Sequence, residues 1–394
     1  MALTTALNIF HFLTLPQFLF SLLFSLILYL LLLTLYRLYL HPLSTYPGPR
    51  LAAATSLVEF YHDVLRGGQY QFQILHWHTR YGPILRISPS EIHISDPAFY
   101  DELYKGGKRD KFPFSADLTA TPTSYFSAVE HAVHRRKRAP FNAFFSKRNV
   151  EGLEGRIKKH VTKLCSRMQE FQKSGEVLNL KYAFAALTVD VVSEYAFAKP
   201  FGALQDPKFA PQWLDAVEGI VTGCHLNAFF PWLPRLMKKL PRRLVGWMNP
   251  HVMTVIAYQR ELMEQIRGVM AEKEKVAVEE QGKGAERGEG RTIFHSLLQS
   301  EDLLPEDRNL LHFVEEAQNL VGAGQITTAA HLTTTTFYVL SNPETLRNLR
   351  EELEKAMPDA EGELPSVREL ERLPYLSAVC LPFPFPLTSL PNSS

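Results

Sequence analysis

Not one Lys, Arg, Asp or Glu precedes Arg37 in this sequence of 394 residues. The opening therefore has no basic N-terminal region, and no small-residue cleavage site follows it, so a cleaved signal peptide is the weaker reading. Cysteine is nearly missing as well. Cys165, Cys224 and Cys380 are far apart and odd in number, which excludes a disulfide framework and a Cys-rich zinc site and points to a reducing compartment. No residue is assigned as a metal ligand. Charge of either sign is not in excess, since 42 Lys+Arg stand against 41 Asp+Glu. That balance excludes a generally basic nucleic-acid binder, and 46% hydrophobic residues exclude a disordered chain. No internal repeat and no second membrane-length apolar run occur, which excludes a channel or multi-span transporter.

What the opening does contain is FLFSLLFSLILYLLLLTLY, Phe18 to Tyr36, about the length that spans a bilayer as a helix. The positive charges Arg37, Arg50 and Arg66 follow it, which places the remainder on the cytoplasmic side of a single-pass anchor. Tyr46-Pro47-Gly48-Pro49-Arg50 cannot continue a helix and reads as a stiff hinge.

Beyond the hinge the pattern predicts a helix over 69–80, a break at Tyr81-Gly82-Pro83 and a small hairpin from 85–87 and 91–94 around Ser88-Pro89-Ser90. From Asp96 onward the chain is helical in pattern, with loops at 105–123 and 281–291. The longest helix is expected from about Pro305, with Glu306 and Asp307 favourable at its positive end, to Ser341. A further helix starts at Pro343 and another near Ser366.

Inside the long helix lies Gly322-Ala323-Gly324-Gln325-Ile326-Thr327-Thr328, where Gly324 alone costs about 1 kcal/mol of helix propensity relative to alanine. Two readings account for it. Small residues let another helix pack closely, or a flat cofactor lies against the glycine while a threonine hydroxyl bonds a ligand. His134-Arg135-Arg136-Lys137-Arg138 reads as a basic run on a solvated helix face. Residues 229–247 interleave aromatics with Arg235, Lys238, Lys239, Arg242 and Arg243; this is a patch for an anionic membrane surface or a loop with buried aromatics and a wet basic edge.

These stretches together resemble the cytochrome P-450 haem-thiolate monooxygenases of microsomal, fungal style. The resemblance rests on the anchor followed by YPGPR, on YGPILRISPSEIHISDPAFYDELY, HRRKRAPFNAFFS, GAGQITT, SNPETLRNLREELEKAMPD and LPSVRELERLPYLSAV, in that order. It implies a mainly α fold, a helical domain of that family with a small β-hairpin region, over residues 46–379. An anchor segment, 1–45, precedes it with a span at about 17–36, and a Pro-rich tail, 380–394, follows. It implies haem as cofactor and NADPH through a reductase partner. The substrate would be a lipophilic small molecule oxidised in secondary metabolism, on the cytoplasmic face of the endoplasmic reticulum. In that family the long helix crosses the haem; Ala323 and Gly324 would lie against it, and Thr327 and Thr328 would take the catalytic positions, Thr327 assisting proton delivery. His134 and Arg138, four residues apart, would clamp a haem propionate. The 105–123 loop would help set the substrate.

The sequence departs from the family at three places. The acid usual before the first threonine is Ile326, which cannot relay a proton. None of the three cysteines sits in the Phe-x-x-Gly-x-Arg-x-Cys-x-Gly segment that supplies the thiolate. The two Glu-x-x-Arg matches, Glu344 with Arg347 and Glu369 with Arg372, lie too early and read as surface residues. The last 15 residues carry four prolines and no charge, like translated intron or frame-shifted sequence. The expectation is a C-terminally truncated chain that lacks the haem-ligand part and is inactive as it stands. The alternatives are a non-catalytic, membrane-tethered helical protein that binds partners or a ligand, and an incorrect gene model of an active enzyme.

Overall fold

The computed structural model describes residues 15–105, 107–248, 250–280, 292–300, 303–359 and 362–380. It divides into two units, one up to Lys108 and one from Arg109. In the first unit, leucine-rich sequence without charge forms α1 (Leu15–Leu35), which passes into a π-helical turn at Tyr36–Leu40. The helix has no buried face, and its mean hydropathy of 2.6 makes it long and apolar enough to cross a membrane. The hinge then bends the chain. α2 (Tyr70–Tyr81) ends at Gly82 with φ 92°, and β1 (Ile84–Arg86) pairs antiparallel with β2 (Ile92–Ile94), Leu85 opposite His93. The hairpin is pinned from inside. Arg86 is buried, and its guanidinium donates to the carbonyl oxygens of Ser88, Pro89 and Arg37. Gly48 is required where the hinge meets it, because a Cβ there would run into the Arg86 carbonyl.

The second unit is helical. Its framework consists of α3 (His131–Arg138), α4 (Glu154–Ser174), α5 (Leu180–Phe197) and α6 (Pro211–Phe229). The short α7 (Trp232–Lys239) and α8 (Arg242–Met248), then α9 (Pro250–Glu280), lead to the long α10 (Leu310–Ser341). α11 (Pro343–Ala356), α12 (Val367–Leu370) and α13 (Pro374–Cys380) follow. The core lies where α5, α9 and α10 pack, around Val189, Leu262, Ile266, Phe313, Ala317 and Val321. α5 is rich in apolar and small residues and buries ten of its eighteen residues. Its one buried acid, Asp190, is satisfied by the backbone N–H groups of Ala203 and Leu204.

Two expectations are corrected. The long helix begins at Leu310 rather than Pro305: Pro305–Asp307 is a separate 3-10 turn, and Asn309 caps α10 by accepting from the His312 N–H. Asp307 does not serve a helix dipole, because it is drawn away to Lys137 at 3.0 Å. The stretch after Phe230 is not a loop with buried aromatics but two short helices on which Trp232 and Trp247 are 56% and 83% exposed. The 105–123 segment contains a 3-10 turn at Pro113–Asp117. The helix from Pro343 is capped by Asn342, and the one after Ser366 by a full capping box with Glu369, which leaves Glu344, Arg347, Glu369 and Arg372 exposed as read. The loop at 281–291 and the tail from 381 lie outside the described residues.

Candidate functional site

The site builds outward from α10. Residues four apart share a helical face, so Glu315, Asn319, Ala323 and Thr327 form one stripe along it. Ala323 and Thr327 are exposed, and the Thr327 hydroxyl donates to the Ala323 carbonyl at 2.7 Å, leaving its lone pairs to accept from a ligand or water. Thr328 stands beside it, also exposed. Gly324 points elsewhere: a Cβ there would lie 3.1 Å from Cγ2 of Val192 on α5. The glycine thus permits close approach of α5 and α10, and Thr188 crosses that contact by donating to the Gln325 carbonyl at 3.1 Å. Ile326 packs with Ala185, Leu214 and Ala329, which explains an apolar residue there.

Towards the start of α10 the same stripe holds a hydroxyl-rich segment. Asn319 donates to the hydroxyls of Thr121 and Ser124 at 3.0 and 2.9 Å, and Glu315 accepts from Thr123. The segment leads into Tyr125, whose ring meets His134 edge-on at 6.0 Å and lies 5.6 Å from the Arg138 guanidinium. Arg138 also lies over Phe145 and donates to Asn142. Among the described residues no carboxylate ion-pairs with it, so a cation stands between two aromatic faces with capacity for an anion. Burial, with Lys111 and Arg138 nearby, holds the His134 imidazole below its ordinary range.

Sequence reasoning missed the buried polar cluster behind these residues. Glu315, Glu316 and His312 are all buried, and Lys137, read as part of a solvated or anion-binding run, is enclosed against Asp307. His312 Nδ1 lies 3.0 Å from the Thr123 carbonyl, and its Nε2 lies 3.8 Å from Glu316. Burial pushes the Glu316 carboxyl up to about 8 and the His312 imidazole below its usual range. Adjacent acids within an otherwise apolar helical stretch were the available signal.

The residues present fit part of a haem site. A small-residue face bearing a hydroxyl and an arginine free of carboxylates suit the flat ring and its propionates. No comparable fit exists for the thiolate: Cys165 and Cys380 are exposed, Cys224 is half-buried, and none has the required neighbours.

Comparison with known proteins agrees with this geometry. The sequence model of the family described as Cytochrome P450 matches residues 47–381. A cytochrome P450 monooxygenase, MO6277, of Ascocoryne sarcoides is 40% identical over 362 residues, covering 90% of this chain and 70% of the relative. The tryptophan 6-hydroxylase fscE of Fusarium equiseti is 39% identical over 344 residues, covering 87% and 66%. The conidiogenone synthase PchP450 of Penicillium rubens is 37% identical over 349 residues, covering 88% and 67%. This chain thus spans about two thirds of the length of the relatives it matches. With a matched region that takes in the hairpin, α3 and the whole of α10, the chain belongs to the cytochrome P450 family.

Proposed function

We propose that this chain carries the distal and propionate-binding parts of a haem monooxygenase that oxidises a lipophilic small molecule, as the names of its fungal relatives suggest. Haem, when bound, would supply the oxygen-activating chemistry, with electrons from NADPH through a reductase partner. Ala323 would leave room for the ring while Gly324, facing Val192, lets α5 and α10 close behind it; Thr327 would hold a proton or water at its hydroxyl, and Thr328 would flank it. His134 and Arg138 would bind a propionate, Arg138 through paired donors that cannot lose their charge. The observation that carries this reading is the exposed Ala323–Thr327 face joined through Tyr125 to an arginine with no carboxylate partner among the described residues.

The alternative is a non-catalytic, membrane-tethered helical protein whose exposed Ala323–Thr327 face holds a ligand without chemistry. Both readings share a haem titration. Full chain in detergent is titrated with hemin, and Arg138→Gln is expected to weaken binding about tenfold, the scale of one charge-assisted hydrogen bond. The carbon monoxide complex should show His or water ligation, with no oxygenation by these residues alone. A stoichiometric thiolate-type spectrum would overturn the reading of the cysteines, and equal hemin affinity in wild type and Arg138→Gln would remove the propionate assignment.

For the location, α1 would anchor the chain in the endoplasmic reticulum with the body on the cytoplasmic side, and the exposed Trp232, Leu236 and Trp247, among basic residues, suit an anionic membrane surface. Protease added to intact microsomes should digest the body, whereas full protection would reverse the orientation.

A further inference from the structure

Thr123 is held at every polar atom it has. Its N–H and hydroxyl both donate to Glu315 Oε2, at 2.7 and 2.6 Å. Its carbonyl accepts from Lys137 Nζ at 2.6 Å, and His312 Nδ1 lies 3.0 Å from the same oxygen. These partners come from two different helices, since Glu315 and His312 are on α10 and Lys137 is on α3. Lys137 is fixed in turn by Asp307 at 3.0 Å, just before α10 begins. Two residues on, the Tyr125 N–H donates to Glu316 Oε1 at 2.7 Å, and the Tyr125 ring packs on His134 and Arg138. No other direct ion pair among the described residues joins α3 to the α10 region except the longer one from Arg136 to Asp307 at 3.8 Å.

The charges explain why the junction is stable when enclosed. Lys137 lies against Asp307 with both side chains 11% exposed, and pairing the two charges limits the penalty for enclosing them. A loop residue on a solvated surface would need none of this. Such a concentration of part-buried hydrogen bonds on one residue, through its backbone as well as its hydroxyl, fixes a distance rather than merely filling space.

We propose that Thr123 is a positioning residue: it acts as the junction through which Glu315 and Lys137 hold α3, and with it His134 and Arg138, at a set distance from the Ala323–Thr327 face of α10. The link itself depends only on the observed geometry; its consequence for cofactor placement rests on the haem reading above.

The test is amide hydrogen exchange on the full chain in detergent, without haem, so that failure of the haem reading cannot disguise the result. Thr123→Val removes the hydroxyl and keeps the side-chain shape, whereas Thr123→Ser restores the hydroxyl. Peptides covering 119–127 and 131–138 should exchange about tenfold faster in the valine variant, with 183–197 in the core unchanged and the serine variant close to wild type. Lys137→Met, made on the other helix, should accelerate exchange over 119–127 as well, and it decides the matter if Thr123→Val does not fold. Acceleration confined to 119–127 in Thr123→Val, a serine variant as fast as the valine one, or no effect of Lys137→Met on 119–127 would each overturn the proposal.

Discussion

Glu316 shows how one side chain ties stability to pH. Burial raises its carboxyl to about 8, with Glu315 and Asp307 adding to the rise while the Tyr125 N–H and Lys137 oppose it; His312 faces it from one turn earlier on α10. The folded state therefore keeps a proton that the unfolded chain releases near pH 4.5. Stability from this group is full below that pH and is lost as pH rises to about 8. Glu316→Gln should flatten that fall and leave the protein more stable than wild type at pH 8, measured by thermal unfolding across the range. His312, depressed by burial, contributes in the opposite sense, losing stability as pH falls through the ordinary imidazole range, so the comparison is read at pH 8, above that range. Ile326 gives a second case. Placing the family's usual acid there, Ile326→Asp, should cost roughly 2 kcal/mol, because it sets a carboxylate against Ala185, Leu214 and Ala329. Gly324→Val should cost about 1 to 3 kcal/mol by collision with Val192, and Val192→Ala should recover part of the loss. A glycine serving only a cofactor would show no such rescue.

At the scale of the element, α10 has two halves with different surroundings. Its first half buries Phe313, Val314, Ala317, Leu320 and Val321 against α5 and α9. Its second half exposes Phe337 by 63% and Leu340 by 56%, so an apolar stripe without cover runs to the end of the helix. A contiguous patch of that kind drives association. The full chain should elute as oligomers in mild detergent, and Phe337→Glu with Leu340→Glu should shift it toward monomer, as read by light scattering. The helix boundaries were legible because caps are local: Asn342 satisfies the N–H groups of Glu344 and Thr345, and Asn342→Ala should cost about 1 kcal/mol of stability. The start at Leu310 was not legible from Pro305, Glu306 and Asp307, since Asp307 is claimed by Lys137, far away in sequence.

For the whole molecule, the sequence by itself determined the apolar α1, the hinge, the hairpin, the order of helices after Asp96 and the family. Each of these depends on signals within a few residues: uncharged length, prolines that deny a hydrogen bond, alternation, helical period and caps. The candidate residues Ala323, Gly324, Thr327, Thr328, His134 and Arg138 came from the family resemblance, and their roles remain the proposal made above. Tertiary structure alone decided the direction Gly324 faces, the burial of Lys137 within a basic run, the exposure of Trp232 and Trp247, and the convergence of Thr123, Glu315 and His312. Those outcomes turn on which distant segment packs against a residue. Thr123 and Glu315 are separated by 192 positions, and no local pattern records that the carboxylate meets both donors of one threonine. Burial supplies the physical reason: it converts an ordinary charged or hydroxyl side chain into one that must find its partner, and only the folded chain names that partner.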